Sequence, residues 1–166
     1  HALVAIKTAG GFTCFDPNLR DEVWRDPSEI KHVVMQAITL ADVVKFSEEE
    51  LLFLTNSTNL EQGLAAIESY NIPLVVLTLG PQGALVVFKG KQHTIAGISV
   101  KVIDTTGAGD AFVCGLLAQL SQHSEWNNIT VIEKAIRWGN ICGALATTQK
   151  GAMTALPTKQ ALLALE

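Results

Sequence analysis

The sequence has little of what marks secreted, membrane-spanning or nucleic-acid-binding proteins. It contains 3 cysteines, and none of its apolar runs approaches the roughly 18 residues of a membrane span. With 12 basic against 16 acidic residues it has a net charge of −4, which provides no basic surface for nucleic acid or an anionic membrane. The cysteines Cys14, Cys114 and Cys142 lie far apart, which predicts buried free thiols rather than disulfides or a metal site. These features favour a cytoplasmic protein that acts on small molecules.

Two common nucleotide-binding motifs are also absent. No G-x-G-x-x-G follows a predicted strand, which disfavours a dinucleotide-dependent dehydrogenase, and no G-x-x-x-x-G-K-[ST] loop occurs. The 4 histidines share no metal-ligand spacing. Any nucleotide site must therefore come from another motif.

Such a motif is present at residues 104–112, D-T-T-G-A-G-D-A-F, where a small-residue turn lies between two carboxylates. Residues 100–104 predict a strand and residues 108–123 predict a helix. Gly107 and Gly109 let the backbone bend or let a ligand approach, and the first amides of a helix lack intrahelical partners. An anion fits there, and Asp110 in the first helical turn can accept a proton from a hydroxyl that attacks a phosphoryl group. The alternative is a simple acidic helix start.

The same string resembles the signature D-T-x-G-A-G-D-x-F of the ribokinase-like (PfkB-type) carbohydrate kinases. The resemblance implies an α/β fold with a mostly parallel open sheet and helices on both faces. It implies that Asp110 is the catalytic base and that Gly107, Ala108 and Gly109 form the anion hole. It also implies ATP as phosphate donor, Mg²⁺ and a sugar acceptor, with the fructokinases as the most similar members.

A second polar segment follows a strand predicted over residues 12–16. Asp16, Asn18 and Arg20 would place a carboxylate, an amide and a guanidinium at the carboxyl edge of a parallel sheet. They resemble the D-x-N-x-R element of sugar kinases, which implies contact with substrate or phosphate. A surface turn is the alternative.

A third segment, residues 45–50, begins a predicted helix. Ser47 is the expected N-cap, and Glu50 occupies the reciprocal position of a capping box. Capping alone explains this pattern. The resemblance implies that Glu50 also belongs to an N-x-x-E motif that influences the Mg²⁺ requirement, although Ser47 stands where Asn is usual.

The strand predicted over residues 74–79 leads into a glycine-containing turn. Thr78, Gly80 and Gly83 resemble the family's T-x-G-x-x-G turn, which implies contact with the ATP phosphates and ribose. A tight turn into the next strand is the competing explanation, and both can hold.

The C-terminal helix and the residues after it give two weaker expectations. The resemblance implies that Asn140 lies near the adenine, whereas close helix packing also explains the small residues around it. It further implies a monovalent cation site, for K⁺, at Gly151 with Asp104 and Thr106.

The order of predicted elements gives the domain organisation. Helices are predicted over residues 2–9, 28–40, 47–55, 59–70, 108–123, 130–148 and 158–165, with further strands at 43–45 and in a hairpin over 84–96 that turns at Gly90-Lys91. This alternation predicts a mostly parallel sheet with an antiparallel portion.

The resemblance covers nearly the whole chain but only part of a family member. Residues 1–166 are therefore expected to be the C-terminal nucleotide-binding and catalytic portion of a single ribokinase-like domain, inactive without its sugar-binding and lid half. The complete protein is expected to be a homodimer. A kinase for aminoimidazole riboside or another nucleoside-like substrate is one alternative, and a non-catalytic nucleotide-binding module is another.

Overall fold

The structure is a computed structural model that describes residues 1–166, except for the side chain of Asp21. The helices are α1 (Ala2–Thr8), α2 (Ile30–Ile38), α3 (Glu48–Thr55), α4 (Leu60–Glu68), α5 (Ala108–Leu120), α6 (Ile129–Ala146) and α7 (Lys159–Leu163). The strands are β1 (Cys14–Phe15), β2 (Val43–Ser47), β3 (Leu74–Thr78), β4 (Gly83–Phe88) and β5 (Lys91–Ala96). Within the described residues, no helix has both the length and the apolar character of a membrane span.

The strands form a sheet in the order β1-β2-β3-β4-β5. Strands β1, β2 and β3 are parallel, with Cys14 opposite Val43 and Val43 opposite Leu74. The connections into β4 and β5 are too short for a crossover, so these strands run antiparallel to their neighbours. The predicted combination of a parallel sheet with an antiparallel hairpin is confirmed.

Strands β2 and β3 are buried over four of their five residues. Near-continuous apolar runs of this kind are typical of strands that are covered on both faces. Helix α2 buries Ile30, Val34 and Ile38, whose spacing of four places them on one face. Lys45 is the exception in β2, because it is charged and only 5% exposed.

The chain forms two compact units. Unit 1 comprises His1–Thr78 with Val86–Gln92, and unit 2 comprises Leu79–Leu85 with His93–Glu166, so the β4–β5 hairpin contributes to both. In unit 2, helices α5 and α6 approach closely at glycines. A Cβ at Gly139 would lie 2.9 Å from the Phe112 ring, and one at Gly115 would lie 2.7 Å from the Trp138 carbonyl oxygen. Gly115 of α5 and Gly139 of α6 therefore serve the close packing of the two helices.

Three expectations from the sequence need correction. Residues 100–104 do not form a strand: the amides of Ile103 and Asp104 both donate to the single carbonyl of Thr147, which cannot build a ladder. The hairpin turns at Lys89-Gly90, not Gly90-Lys91, because both turn residues have the positive φ (50° and 73°) that this turn type requires. Cys114 is exposed and Cys14 is half-buried, so of the three cysteines that were expected to be buried only Cys142 is.

Candidate active site

The glycine turn of unit 2 leads directly into helix α5. Gly107 is the N-cap, with φ of 78°, and a Cβ there would lie 2.8 Å from the Cβ of Ala152. Both the backbone conformation and the space therefore require glycine. Helices α3, α4 and α6 have side-chain caps, from Ser47, Asn59 and Asn128. Helix α5 has none; the Ala108 amide donates to the Thr105 carbonyl at 3.1 Å, so an anion would bind to the other amides of the first turn.

Gly109 and Asp110 lie in the first turn of α5, as predicted. Gly109 has no positive φ, so its backbone conformation does not call for glycine, in contrast with Gly107. Asp110 is exposed. A carboxylate beside uncapped helix amides is an arrangement that can accept a proton next to a bound phosphoryl group.

The Asp104 carboxylate connects the glycine turn to the segment after α6. One oxygen accepts from the amide (3.0 Å) and the hydroxyl (2.7 Å) of Thr106, and the other accepts from the Gly151 amide at 2.8 Å. These bonds, that of the Thr106 hydroxyl above all, lower the pKa of Asp104 to about 2. The structure thus brings together Asp104, Thr106 and Gly151, the three residues of the predicted cation site. Thr106 and Gly151 are the hydrogen-bond donors, and the Asp104 carboxylate is the acceptor.

In unit 1, Asp16 forms an ion pair with buried Lys45. The Lys45 ammonium lies 3.2 Å from each Asp16 carboxylate oxygen. Burial raises the pKa of Asp16; Lys45 opposes this shift, and the negative charge of Glu50 adds to it. Sequence reasoning treated Lys45 only as a strand residue. The signal that could have identified it is a charged residue inside the apolar run of β2.

Glu50 forms the predicted capping box and one further contact. Its Oε2 accepts from the Ser47 amide at 2.7 Å, and the Ser47 hydroxyl accepts from the Glu50 amide at 3.2 Å. Its Oε1 accepts from the Leu19 amide at 2.9 Å, which ties α3 to residues 16–20. Because both oxygens are engaged with amides, any influence of Glu50 on Mg²⁺ would be indirect.

The other two residues of the polar segment lie at the surface of unit 1. Asn18 is exposed and has a φ of 41°, and the exposed Arg20 donates to the Leu19 carbonyl at 2.9 Å. Among the described residues, no three His, Cys, Asp or Glu side chains form a group that could hold a metal ion.

The predicted nucleotide-contact residues have different surroundings. Thr78 donates to the Phe46 carbonyl at 3.2 Å. A Cβ at Gly83 would lie 2.2 Å from the Ile95 carbonyl oxygen, so the hairpin itself explains this glycine. Gly80 has a φ of 55° and open space where a Cβ would lie. Buried Asn140 donates to the carbonyls of Ile95 and Ala96, both at 3.1 Å, which attaches α6 to β5.

The sheet and the glycine turn with its uncapped helix describe an α/β protein with a candidate phosphate site. Residues 1–159 match the pfkB family of carbohydrate kinases. The chain belongs to this family, as its D-T-T-G-A-G-D-A-F string predicted.

Several relatives of this chain are fructokinases, and some of these have solved structures. The chain is 62% identical over 163 residues to a fructokinase of Vibrio alginolyticus, an alignment that covers 98% of this chain and 53% of the relative. A crystal structure of fructokinase from Vibrio cholerae O395 with fructose, ADP and calcium is 58% identical with a TM-score of 0.97, over 99% of this chain and 53% of that one. A double mutant of that fructokinase, with fructose, ADP and potassium, has 57% identity, a TM-score of 0.96 and the same coverage.

A relative with another substrate is more distant. Aminoimidazole riboside kinase from Salmonella enterica, complexed with the riboside and an ATP analogue, is 36% identical with a TM-score of 0.93, over 98% of this chain and 55% of that one. These likenesses confirm the predicted ribokinase-like fold. The chain spans about half the length of the relatives it matches.

Proposed function

We propose that residues 1–166 are the C-terminal nucleotide-binding and catalytic portion of an ATP-dependent fructokinase. The uncapped, glycine-opened start of α5, with Asp110 in its first turn, carries this proposal. The identity to fructokinases and the fructose and ADP bound in one of them support the substrate pair. The partial coverage of these relatives supports the assignment to one portion of a longer protein.

Asp110 would act as the general base. Its carboxylate accepts the proton of a primary sugar hydroxyl while that oxygen attacks the γ-phosphorus, and ADP leaves with the electrons of the broken P–O bond. The amides of Gly107, Ala108 and Gly109 would stabilise the negative charge on the phosphoryl oxygens, and the Ala108 amide would have to release the Thr105 carbonyl to do so. Bound Mg²⁺ would supply charge neutralisation between the phosphates.

The remaining site residues extend this proposal. Asp16, Asn18 and Arg20 would contact substrate or phosphate, and Glu50 would influence Mg²⁺ indirectly. Thr78, Gly80, Gly83 and Asn140 would line the nucleotide, with Gly80 the best supported because it has open surroundings. Asp104, Thr106 and Gly151 would support a K⁺ site, which the potassium in the Vibrio cholerae double mutant favours. The cytoplasmic location and the homodimer stay predictions.

A riboside substrate is the second candidate. The likeness to aminoimidazole riboside kinase over 98% of this chain favours it, although the identity is lower than to the fructokinases. Comparing kcat/KM of the full-length protein for fructose and for aminoimidazole riboside separates the two. The proposal of a fructokinase requires a clear preference for fructose.

Asp110→Asn tests the catalytic role. The full-length variant should lose roughly 10²–10⁴ in kcat, the usual contribution of a positioned base, while its ATP affinity stays within a few-fold of wild type. Glu61→Gln is the matched control, because Glu61 is likewise an acidic residue in the first turn of a helix. A turnover of Asp110→Asn within threefold of wild type would refute the base assignment. ATP binding with no sugar-dependent turnover in the wild type would indicate a non-catalytic nucleotide-binding module.

A further inference from the structure

Residues 16–20, here called the 16–20 loop, are held by the junction of β2 and α3. The Lys45 ammonium on β2 lies 3.2 Å from both Asp16 oxygens at one end of the loop. Glu50 on α3 accepts from the Leu19 amide at 2.9 Å near the other end. The loop is therefore attached at two points to the β2–α3 segment of unit 1.

Lys45 is costly for strand β2 on its own. Its neighbours Val44 and Phe46 are fully buried, and Lys45 itself is only 5% exposed. A buried ammonium is disfavoured unless a counter-charge lies beside it, and an apolar residue would suit the strand better. We therefore expect Lys45 to serve the ion pair with the Asp16 carboxylate rather than the stability of strand β2.

We propose that Lys45 is a positioning residue for the kinase reaction. Its ammonium fixes the Asp16 carboxylate and thereby the 16–20 loop, so that Asn18 and Arg20 are presented to the sugar or to the ATP phosphates. The inference rests on the function proposed above. It adds a residue that touches neither substrate nor nucleotide and acts through Asp16.

The charges around Asp16 predict how loss of Lys45 would appear. Lys45 faces Asp16 from β2, Glu50 faces it from α3, and the Cys14 thiol lies near it on β1. Without the ammonium, burial and the charge of Glu50 both favour a protonated Asp16. The loss of activity should therefore be present at every pH, because nothing holds the Asp16 carboxylate, and should be larger at acidic pH, where Asp16 is also protonated.

The test compares Lys45→Met, Lys45→Arg and Lys45→Met/Asp16→Asn in the full-length protein, with kcat/KM for ATP measured from about pH 5 to 9. Lys45→Met should lose at least about tenfold near pH 9, where Asp16 is ionised but not held, and more near pH 6. Lys45→Arg should stay within about threefold of wild type throughout. The double variant removes both charges, so it should fold and show a deficit independent of pH. Lys7→Met is the control, because Lys7 forms a more exposed ion pair with Asp42 in the same unit.

Hydrogen exchange at residues 16–20 gives a readout that does not depend on turnover. Lys45→Met should speed exchange of the Leu19 amide, and Lys7→Met should not. A Lys45→Met activity within about threefold of wild type at pH 9, or unchanged exchange at Leu19, overturns the positioning role. A wild-type protein that lacks fructose-dependent turnover would overturn the proposed function instead, and the exchange result would still decide whether Lys45 holds the loop.

Discussion

Gly107 and Gly109 lie two residues apart in the glycine turn, yet the structure predicts opposite consequences when they are replaced. Gly107 has a φ of 78° and lies against Ala152, whereas Gly109 is an ordinary helical residue. Gly107→Ala should therefore destabilise the fold. Gly109→Val should leave the fold intact and impair phosphate binding.

The cost of Gly107→Ala can be worked from two terms. A left-handed conformation costs a non-glycine residue roughly 1–2 kcal/mol, and overpacking against Ala152 adds roughly 1–3 kcal/mol. The free energy of unfolding should thus fall by about 2–5 kcal/mol. Gly10→Ala is the matched control, because Gly10 has a φ of 76° but no atom within 4 Å of a Cβ. The difference between the two variants measures the Ala152 contact alone.

Gly109→Val carries almost no backbone cost. Valine and glycine differ in helix propensity by only about 0.5 kcal/mol, and Gly109 lies in a first turn. Its branched side chain would stand beside the uncapped amides, so ATP affinity and turnover should both fall. Urea unfolding of the ligand-free full-length protein and calorimetric titration with ATP measure the two effects. Unchanged ATP affinity in Gly109→Val, or a Gly107→Ala protein no less stable than Gly10→Ala, would refute the reasoning.

Three further outcomes follow from contacts in the two units. Because the pKa of Asp104 is lowered from 3.8 to about 2, its hydrogen bonds stabilise the fold above about pH 4 and lose this effect as the pH falls toward 2. The free energies of unfolding of wild type and Asp104→Asn should therefore differ at neutral pH and converge near pH 2. Ser47→Ala should cost about 1 kcal/mol in urea unfolding by removing the N-cap of α3, whereas Thr58→Ala, which alters an exposed hydroxyl before α4, should cost less. Purified residues 1–166 should show no fructose phosphorylation. Orientation of the acceptor hydroxyl can be worth roughly 7–11 kcal/mol, and it needs the complete sugar site. Robust activity of this fragment would contradict the proposed division of the domain.

Local chemistry explains why much of the fold could be predicted. The capping box of Ser47 and Glu50 and the start of α5 after Gly107 depend on residues within one helical turn. The apolar runs of β2 and β3 likewise identify buried strands without any knowledge of their partners. Residues 100–104 have the same strand-like composition, but the amides of Ile103 and Asp104 donate to the Thr147 carbonyl rather than to a neighbouring strand, which a local pattern could not show.

The sequence allowed the residue types of the candidate site to be predicted, but not the contacts between residues that lie far apart in the chain. Lys45 meets Asp16 across 29 positions of the sequence, and Glu50 meets the Leu19 amide across 31. Such pairings depend on which strands become neighbours, and one sequence contains no direct record of that. The bonds from the Asn140 amide to the carbonyls of Ile95 and Ala96, about 45 positions earlier, could not be predicted either.

The glycine turn is assembled from two distant stretches of the chain. Asp104 holds the amide of Gly151, 47 positions later, and Gly107 lies against Ala152. During synthesis the turn therefore cannot reach its final conformation until the residues beyond α6 have left the ribosome. A nascent chain that ends within α6 would contain the whole signature motif but would lack Gly151 and Ala152, which contact it.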